Sequence, residues 1–191
     1  MSLVVKQSAT TFAPAPSGAH PARLVWIVDL GTQATIYGDR KQILLAFELV
    51  DEPLTEERNF LISKFYGASL AKNAALRAVI TGLTGAEPAE IDMEDLLDKP
   101  CIVNVAHAVK ADATYANLQS VTACPRDMTV SSSKAPKLAY DMDDPSDEAY
   151  QALPEWIKKK ISCAKSPAAA VLGGNQTTGI PAGPSFEDIP F

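Results

Sequence analysis

The sequence has few of the features that mark membrane, secreted or disulfide-rich proteins. No apolar run reaches the roughly 18 residues that a membrane helix needs. Residues 1–6 lack the charged flank and the long apolar stretch of a signal peptide. The three cysteines, Cys101, Cys124 and Cys163, form an odd set without paired spacing, so we expect no disulfide framework. These absences favour a protein of a reducing cytoplasm.

The motifs of common enzyme classes are absent as well. The chain contains no G-x-x-x-x-G-K-S/T, G-x-G-x-x-G, G-x-S-x-G or H-E-x-x-H. It has two histidines, His20 and His107, and the spacing of His107 with Cys101 and Cys124 matches no pattern of zinc ligands. The acidic run over 141–148 is more typical of a solvated linker than of a metal site. We therefore expect no catalytic activity, no metal and no cofactor.

The charge balance neither supports nor excludes a nucleic-acid partner. The net charge is −6, but residues 1–130 carry only a slight excess of acidic residues. Because binding depends on the local field in a groove, a mildly acidic domain is compatible with a positive track along one surface.

The hydrophobic pattern predicts a mainly β domain. Strands are predicted over residues 23–30, 41–50, 59–66, 101–109 and 114–123. Between the third and the fourth, Ser69 is the predicted N-cap of a helix that ends at Gly82 or Gly85, and a shorter helix over 89–97 stops before Pro100. Three strands, a helical insert and two strands follow the order of an OB-fold. That five-stranded barrel binds oligonucleotides on one face and through its loops 1–2 and 4–5.

Composition divides the rest of the chain into appendages. Residues 1–19 are predicted to be an extended leader, and residues 20–126 form the OB-fold domain. Residues 127–184 read as a flexible linker that carries a short amphipathic helix at 149–164. The apolar positions of this helix are Leu153, Trp156, Ile157 and Ile161.

The last residues, 185–191, differ in kind from the linker before them. Acidic residues lie between aromatic and branched apolar ones, a set that a partner protein can bind by its rings and carboxylates. The predicted partner-binding residues are Phe186, Glu187, Asp188, Ile189, Pro190 and Phe191. This peptide resembles the acidic tip of bacterial single-stranded DNA-binding proteins, and the resemblance implies docking onto replication or repair enzymes. It departs from that tip in having only two acids.

A second resemblance covers roughly residues 12–125. The segment 12–33, with Asp29-Leu30-Gly31-Thr32-Gln33, and the stretch LLDKPCIVN over 96–104 resemble a family of bacteriophage single-stranded DNA-binding proteins. The likeness is closer to the phage family than to the bacterial one, because the bacterial proteins lack the long helical insert. It implies a role in phage replication or recombination, in the host cytoplasm.

Single-stranded DNA binding needs aromatic faces for stacking and cations for phosphates. Alternation places Tyr115 outward with Asn117 and Gln119, and it places Lys64 with Tyr66 on one face of the third strand. Trp26 is equally compatible with the core and with stacking, whereas Phe47 and Phe65 favour the core. The predicted DNA-binding residues are Arg23, Trp26, Tyr37, Arg40, Lys41, Lys64, Tyr66, Lys110 and Tyr115.

The sequence thus predicts a protein that coats single-stranded DNA without sequence specificity and recruits partners through its C-terminal tip. The alternative is a protein-interaction adaptor in which the OB-fold binds no DNA and the helix at 149–164 docks onto another protein.

Overall fold

Six strands and three short helices make up the part of the chain that the structure, a computed structural model, describes: residues 13–110 and 113–165. The first half contains β1 (Gly18–Thr35), β2 (Gly38–Pro53), β3 (Asn59–Gly67) and α1 (Ala75–Thr84). A single 3-10 turn, Glu94–Leu96, precedes β4 (Pro100–Lys110) and β5 (Ala113–Ala123). The C-terminal part adds β6 (Leu138–Tyr140), α2 (Asp147–Ala152) and α3 (Glu155–Ser162). None of the helices in these residues is long and apolar enough to cross a membrane.

The strands form one antiparallel sheet in the order β3-β2-β1-β4-β5, to which β6 adds a short parallel pairing with β1. The mainly β prediction and the order of three strands, helical insert and two strands are confirmed. β1 is 18 residues long. Gly18–Arg23 pairs with β4 and Ala22–Thr35 pairs with β2, so the two pairings overlap at Ala22 and Arg23. Among the described residues, β3 and β5 do not pair with each other and remain the two edges of the sheet.

One face of the sheet holds the larger hydrophobic core, which α1 completes. Ile80 of this helix is fully buried against residues such as Phe47 and Leu24. At Gly82 the helix approaches β5 so closely that an added Cβ would collide with the carbonyl oxygen of Val121. Glycine is therefore needed here for close packing, while the helix ends at Gly85 in the left-handed region, at φ 73°.

The helical insert is shorter than the sequence pattern predicts. The N-cap of α1 is Ala74 and not Ser69, because residues 69–73 are irregular and end in a turn before the first helical residue. The predicted helix over 89–97 is only the 3-10 turn Glu94–Leu96, which buries Leu96. A single buried apolar side chain gives so short a segment little reason to continue as a helix.

The opposite face of β1 and β2 is covered by the C-terminal part of the described chain. Leu138 and Tyr140 of β6, with Leu153, Ile157 and Ile161 around α2 and α3, form a second core with apolar residues of the sheet. The expectation of a flexible linker is therefore wrong for this segment, which we call the cover (residues 130–165). The predicted helix at 149–164 is two helices, because Pro154 begins a new one after Leu153.

The N-terminal side also departs from the expected extended leader. β1 begins at Gly18, and Ala15 is already buried in the larger core. The imidazole Nε2 of His107 lies 2.7 Å from the carbonyl oxygen of Ala15, which ties this segment to β4. The folded unit therefore extends from about residue 15 to residue 165, beyond the predicted limits of 20–126.

Candidate nucleic-acid interface

The tip of the β1–β2 hairpin exposes two large side chains that the core does not use. Thr35 pairs with Gly38 across the turn, and its hydroxyl donates to the Gly38 carbonyl at 2.7 Å while accepting from the Tyr37 amide at 3.1 Å. Gly38 has a φ of 94°, which suits glycine. Between them Ile36 is 91% exposed and Tyr37 is 76% exposed. The turn thus holds an aliphatic and an aromatic side chain in solvent on a hydrogen-bonded support.

A cation accompanies the exposed ring. The guanidinium carbon of Arg40 lies 5.7 Å from the centroid of the Tyr37 ring, within range of a cation–π interaction. Arg40 is itself exposed and makes no ion pair with another described residue. Tyr37 and Arg40 therefore place an exposed aromatic ring and a cation side by side on this loop, and that they bind DNA stays a prediction.

The base of the same hairpin is fixed by ion pairs. The Lys41 ammonium lies 2.9 Å from carboxylate oxygens of both Asp29 and Asp143. Hydrogen bonds to Asp29 and then to Asp143 raise the pKa of Lys41. Lys165 holds Asp39 at 2.7 Å, and its amide donates to the Thr32 carbonyl. Lys41 thus joins the hairpin to the cover through these ion pairs, and its contact with DNA stays a prediction.

The carboxylates around Lys41 are the one acidic cluster with metal-like spacing in residues 13–110 and 113–165. Ligand atoms of Asp29, Asp141 and Asp143 lie within 4.8 Å of one another. Because the Lys41 ammonium already contacts two of these residues, the protein supplies its own cation at this position.

The β4–β5 hairpin carries the second exposed set. Tyr115 pairs with Ala108, and Asn117 pairs with Ala106. Leu118 points into the core, so the face that bears Tyr115 and Asn117 is the outer one, as alternation predicted. Tyr115 is half-buried, whereas Asn117 and Lys110 are exposed.

Lys64 and Tyr66 share a face of β3, as predicted, but it is the inner face. Tyr66 is only 4% exposed and packs in the larger core, and burial raises its pKa. The Lys64 ammonium lies 5.8 Å from the centroid of the Tyr66 ring and donates to the carbonyl oxygen of Leu118 on β5 at 3.1 Å. The prediction that Tyr66 stacks on DNA is therefore wrong, because its ring is a core residue. Lys64 bridges the two edges of the sheet.

Arg23 and Trp26 also differ from the prediction that they contact DNA, because both form hydrogen bonds with the cover. The Arg23 guanidinium donates to the carbonyls of Val130, Ser131 and Asp98 at 2.7–2.9 Å. The indole of Trp26 donates to the Pro136 carbonyl at 3.1 Å, and its ring packs in the second core. Neither side chain is available to DNA while the cover is in place.

A buried carboxylate completes this attachment. Glu48 of β2 is fully buried and accepts hydrogen bonds from the amides of Lys134 and Ala135, at 3.0 and 2.9 Å, and from the Asn59 side chain at 2.8 Å. Buried charge is tolerated when its oxygens are satisfied in this way. The outer face of β1 and β2 is thus built to bind the cover.

Sequence reasoning placed Tyr37, Arg40, Lys110 and Tyr115 on the two hairpins, and it did not single out Ile36, which is exposed at the tip of the first. The signal for Ile36 was available, because a branched apolar residue is unusual in a tight turn. The predicted partner-binding residues Phe186, Glu187, Asp188, Ile189, Pro190 and Phe191 lie outside the described residues, and their role stays a prediction.

In comparisons with known proteins, no family model matches the chain, and none of the curated proteins matches it significantly.

Proposed function

We propose that the protein binds single-stranded DNA without sequence specificity, in phage replication or recombination as the sequence resemblance implies. The observation that carries the proposal is the exposed Tyr37 ring beside Arg40 on a supported hairpin tip. Stacking on an aromatic side chain is tolerant of sequence, because every base has a π-face.

The arrangement of strands supports an OB-type barrel. β1 pairs with both β2 and β4, β2 pairs with β3, and β4 pairs with β5. Closure of the sheet into a barrel would bring its two edge strands, β3 and β5, side by side. The hydrogen bond from Lys64 to Leu118 brings these edges together. An OB-fold is a partly open barrel whose loops 1–2 and 4–5 flank the nucleic acid. In the proposed barrel, the two exposed hairpins of this protein would correspond to those two loops.

The accessible groups favour a path over the hairpins and the outer face of β4 and β5. Tyr37 and Tyr115 supply rings, and Arg40 and Lys110 supply cations. Each stacked base is expected to contribute about 1–3 kcal/mol. Contacts with phosphates make the affinity fall as salt rises.

The test is the affinity for fluorescently labelled oligo-dT and for a duplex of equal length, measured by anisotropy over a range of salt concentrations. We expect tighter binding to oligo-dT, and Tyr37→Ala should weaken it by about 1–3 kcal/mol. Arg40→Ala should reduce the salt slope by about one. Arg58→Ala, at an exposed arginine of the β2–β3 connection, is the matched control and should change neither. Equal affinity for duplex would contradict the stacking mechanism.

The proposal includes recruitment of replication or repair proteins through residues 186–191, which rests on the sequence alone. Deleting these residues should leave the affinity for oligo-dT unchanged or slightly improved at low salt, because their carboxylates compete with phosphates for the same cations. The deletion should abolish capture of the partner enzyme, and Phe191→Ala should reproduce much of that loss. A deletion variant that keeps every partner would remove this part of the proposal.

The adaptor remains the second candidate because of one observation. OB-folds commonly bind oligonucleotides on the face of strands 2 and 3, and here the cover packs on β1 and β2 and reaches Phe65 of β3 through Trp156, with ring centroids 6.3 Å apart. An adaptor would bind its partner protein through a surface other than the predicted helix, because Ile157 and Ile161 of that helix already pack against the sheet. The wild-type protein would then fail to bind oligo-dT even at low salt.

A further inference from the structure

The side chain of Ile36 lies outside the hydrophobic core, so core packing does not explain why this position carries isoleucine. It is 91% exposed, and it occupies a tight turn between Thr35 and Gly38. Gly, Pro, Asn, Asp and Ser dominate such turns because of their backbone preferences, and isoleucine has no such advantage. A single exposed aliphatic residue is ordinary on a protein surface, but here it stands next to Tyr37, which is 76% exposed.

The turn is supported by hydrogen bonds at its tip and by ion pairs at its base. The Thr35 hydroxyl closes the turn through two hydrogen bonds. At the base, Lys41 is held by Asp29 and Asp143, and Lys165 is held by Asp39. A side chain on such a support does not lose much additional freedom when it enters a confined space, so its apolar contact is retained as binding energy.

The chemistry of neighbouring positions suits insertion between bases. Proteins that unstack nucleic acid often insert an apolar side chain between two neighbouring bases. A base that has been unstacked in this way needs a new partner, and an adjacent aromatic ring provides one. Arg40, at 5.7 Å from the Tyr37 ring, adds a cation able to contact a phosphate beside the stacked base.

We infer that Ile36 is a wedge that inserts between bases and opens paired DNA at the border of a single-stranded region, while Tyr37 stacks on the base so released. This inference rests on the proposed function and adds to it a residue that acts on base-paired substrate. Binding to an unstructured strand needs no wedge, so the roles of Ile36 and Tyr37 are separable.

The experiment uses the full chain, a fork duplex with a dT tail that carries a fluorophore and a quencher on its two strands, and labelled oligo-dT. Ile36→Asn places a residue that turns accept readily, so the fold is expected to survive. We expect this variant to bind oligo-dT within about twofold of wild type, while the protein concentration for half-opening of the fork rises about tenfold. Ile36→Leu should restore opening. Tyr37→Ala should weaken both binding and opening.

The matched control is Leu54→Ala, at a 41% exposed leucine of the β2–β3 connection, which should behave as wild type in both assays. The wedge is overturned if wild-type protein binds oligo-dT but opens no fork, or if Ile36→Asn opens it as readily as wild type. A loss of oligo-dT affinity equal to the loss of opening would also overturn it, since Ile36 would then be a general contact. If wild-type protein binds no oligo-dT, the proposed function itself fails.

Discussion

Replacing Ile157 by alanine tests whether the cover is an integral part of the fold. Ile157 is fully buried in the second core with Leu44 of β2 and Leu30 of β1. The substitution removes three carbons at about 0.8 kcal/mol each. The cavity that remains between a sheet and a helix adds to this, for a total of about 3–4 kcal/mol. A melting temperature lower by about 10 °C corresponds to this loss in a chain of this size.

The assay is urea unfolding followed by tryptophan emission and by far-ultraviolet circular dichroism. Trp26 and Trp156, the two tryptophans of the chain, both pack in the second core, so their emission reports directly on the cover. We expect the two signals to change together, with a lower midpoint and an unchanged m-value. Lys159→Ala, at an exposed position of the same helix α3, is the control and should stay within about 0.5 kcal/mol of wild type.

Two results would refute this reasoning. A stability of Ile157→Ala within about 0.5 kcal/mol of wild type would mean that residues 147–162 contribute no packing. A tryptophan transition that precedes the loss of circular dichroism would mean that the cover unfolds by itself, as a separate unit.

The remaining predictions concern packing and accessibility. Gly82→Ala should destabilise the protein by about 1–2 kcal/mol in the same assay, since overpacking against β5 outweighs the gain in helix propensity; Gly67→Ala, where an added Cβ meets nothing within 4 Å, should be nearly neutral. A chain ending at residue 126 should aggregate or bind a hydrophobic dye, and a soluble monomer without dye binding would contradict the second core. At pH 8 a thiol reagent should label the exposed Cys163 first and leave Cys101 unmodified until denaturant is added, because burial raises the pKa of the Cys101 thiol to about 12. Rapid labelling of Cys101 in the native protein, followed by mass spectrometry, would show that its site opens.

The sequence predicted the strands and their order because their apolar runs are long and end at turn residues. It did not predict which side chains point to which side in a strand whose two faces are both covered. All residues from Leu44 to Val50 are buried, with Leu45 and Phe47 in one core and Leu44 in the other. Such a strand has no alternation between apolar and polar positions, so the pattern does not reveal which side chains point inward.

Tyr66 was placed outward for a related reason. It shares a face with Lys64, and a lysine usually marks the solvent side of a strand. Here Lys64 lies on the inner face by its register but stays exposed, and its ammonium donates to the Leu118 carbonyl of β5. The lysine was therefore a misleading indicator of the face.

The sequence did not reveal the cover because part of its attachment depends on main-chain groups. Arg23 and Trp26 donate to backbone carbonyls of residues 130–136, and Glu48 accepts from backbone amides of the same segment. Every residue type offers these groups, so they leave no trace in composition. The polar residues around them instead gave the segment the composition of a linker.

The parallel pairing of β6 with β1 has a consequence for how the protein is made. Trp26 pairs with Leu138, and Val28 with Tyr140, so the two halves of this contact are synthesised far apart in time. After β3 is complete, the apolar outer face of β1 and β2 waits for residues 138–161, on the order of ten seconds at ordinary rates of translation. Contacts between distant parts of a chain also form slowly. During synthesis, the newly made sheet therefore exposes an aggregation-prone apolar face that the finished protein buries.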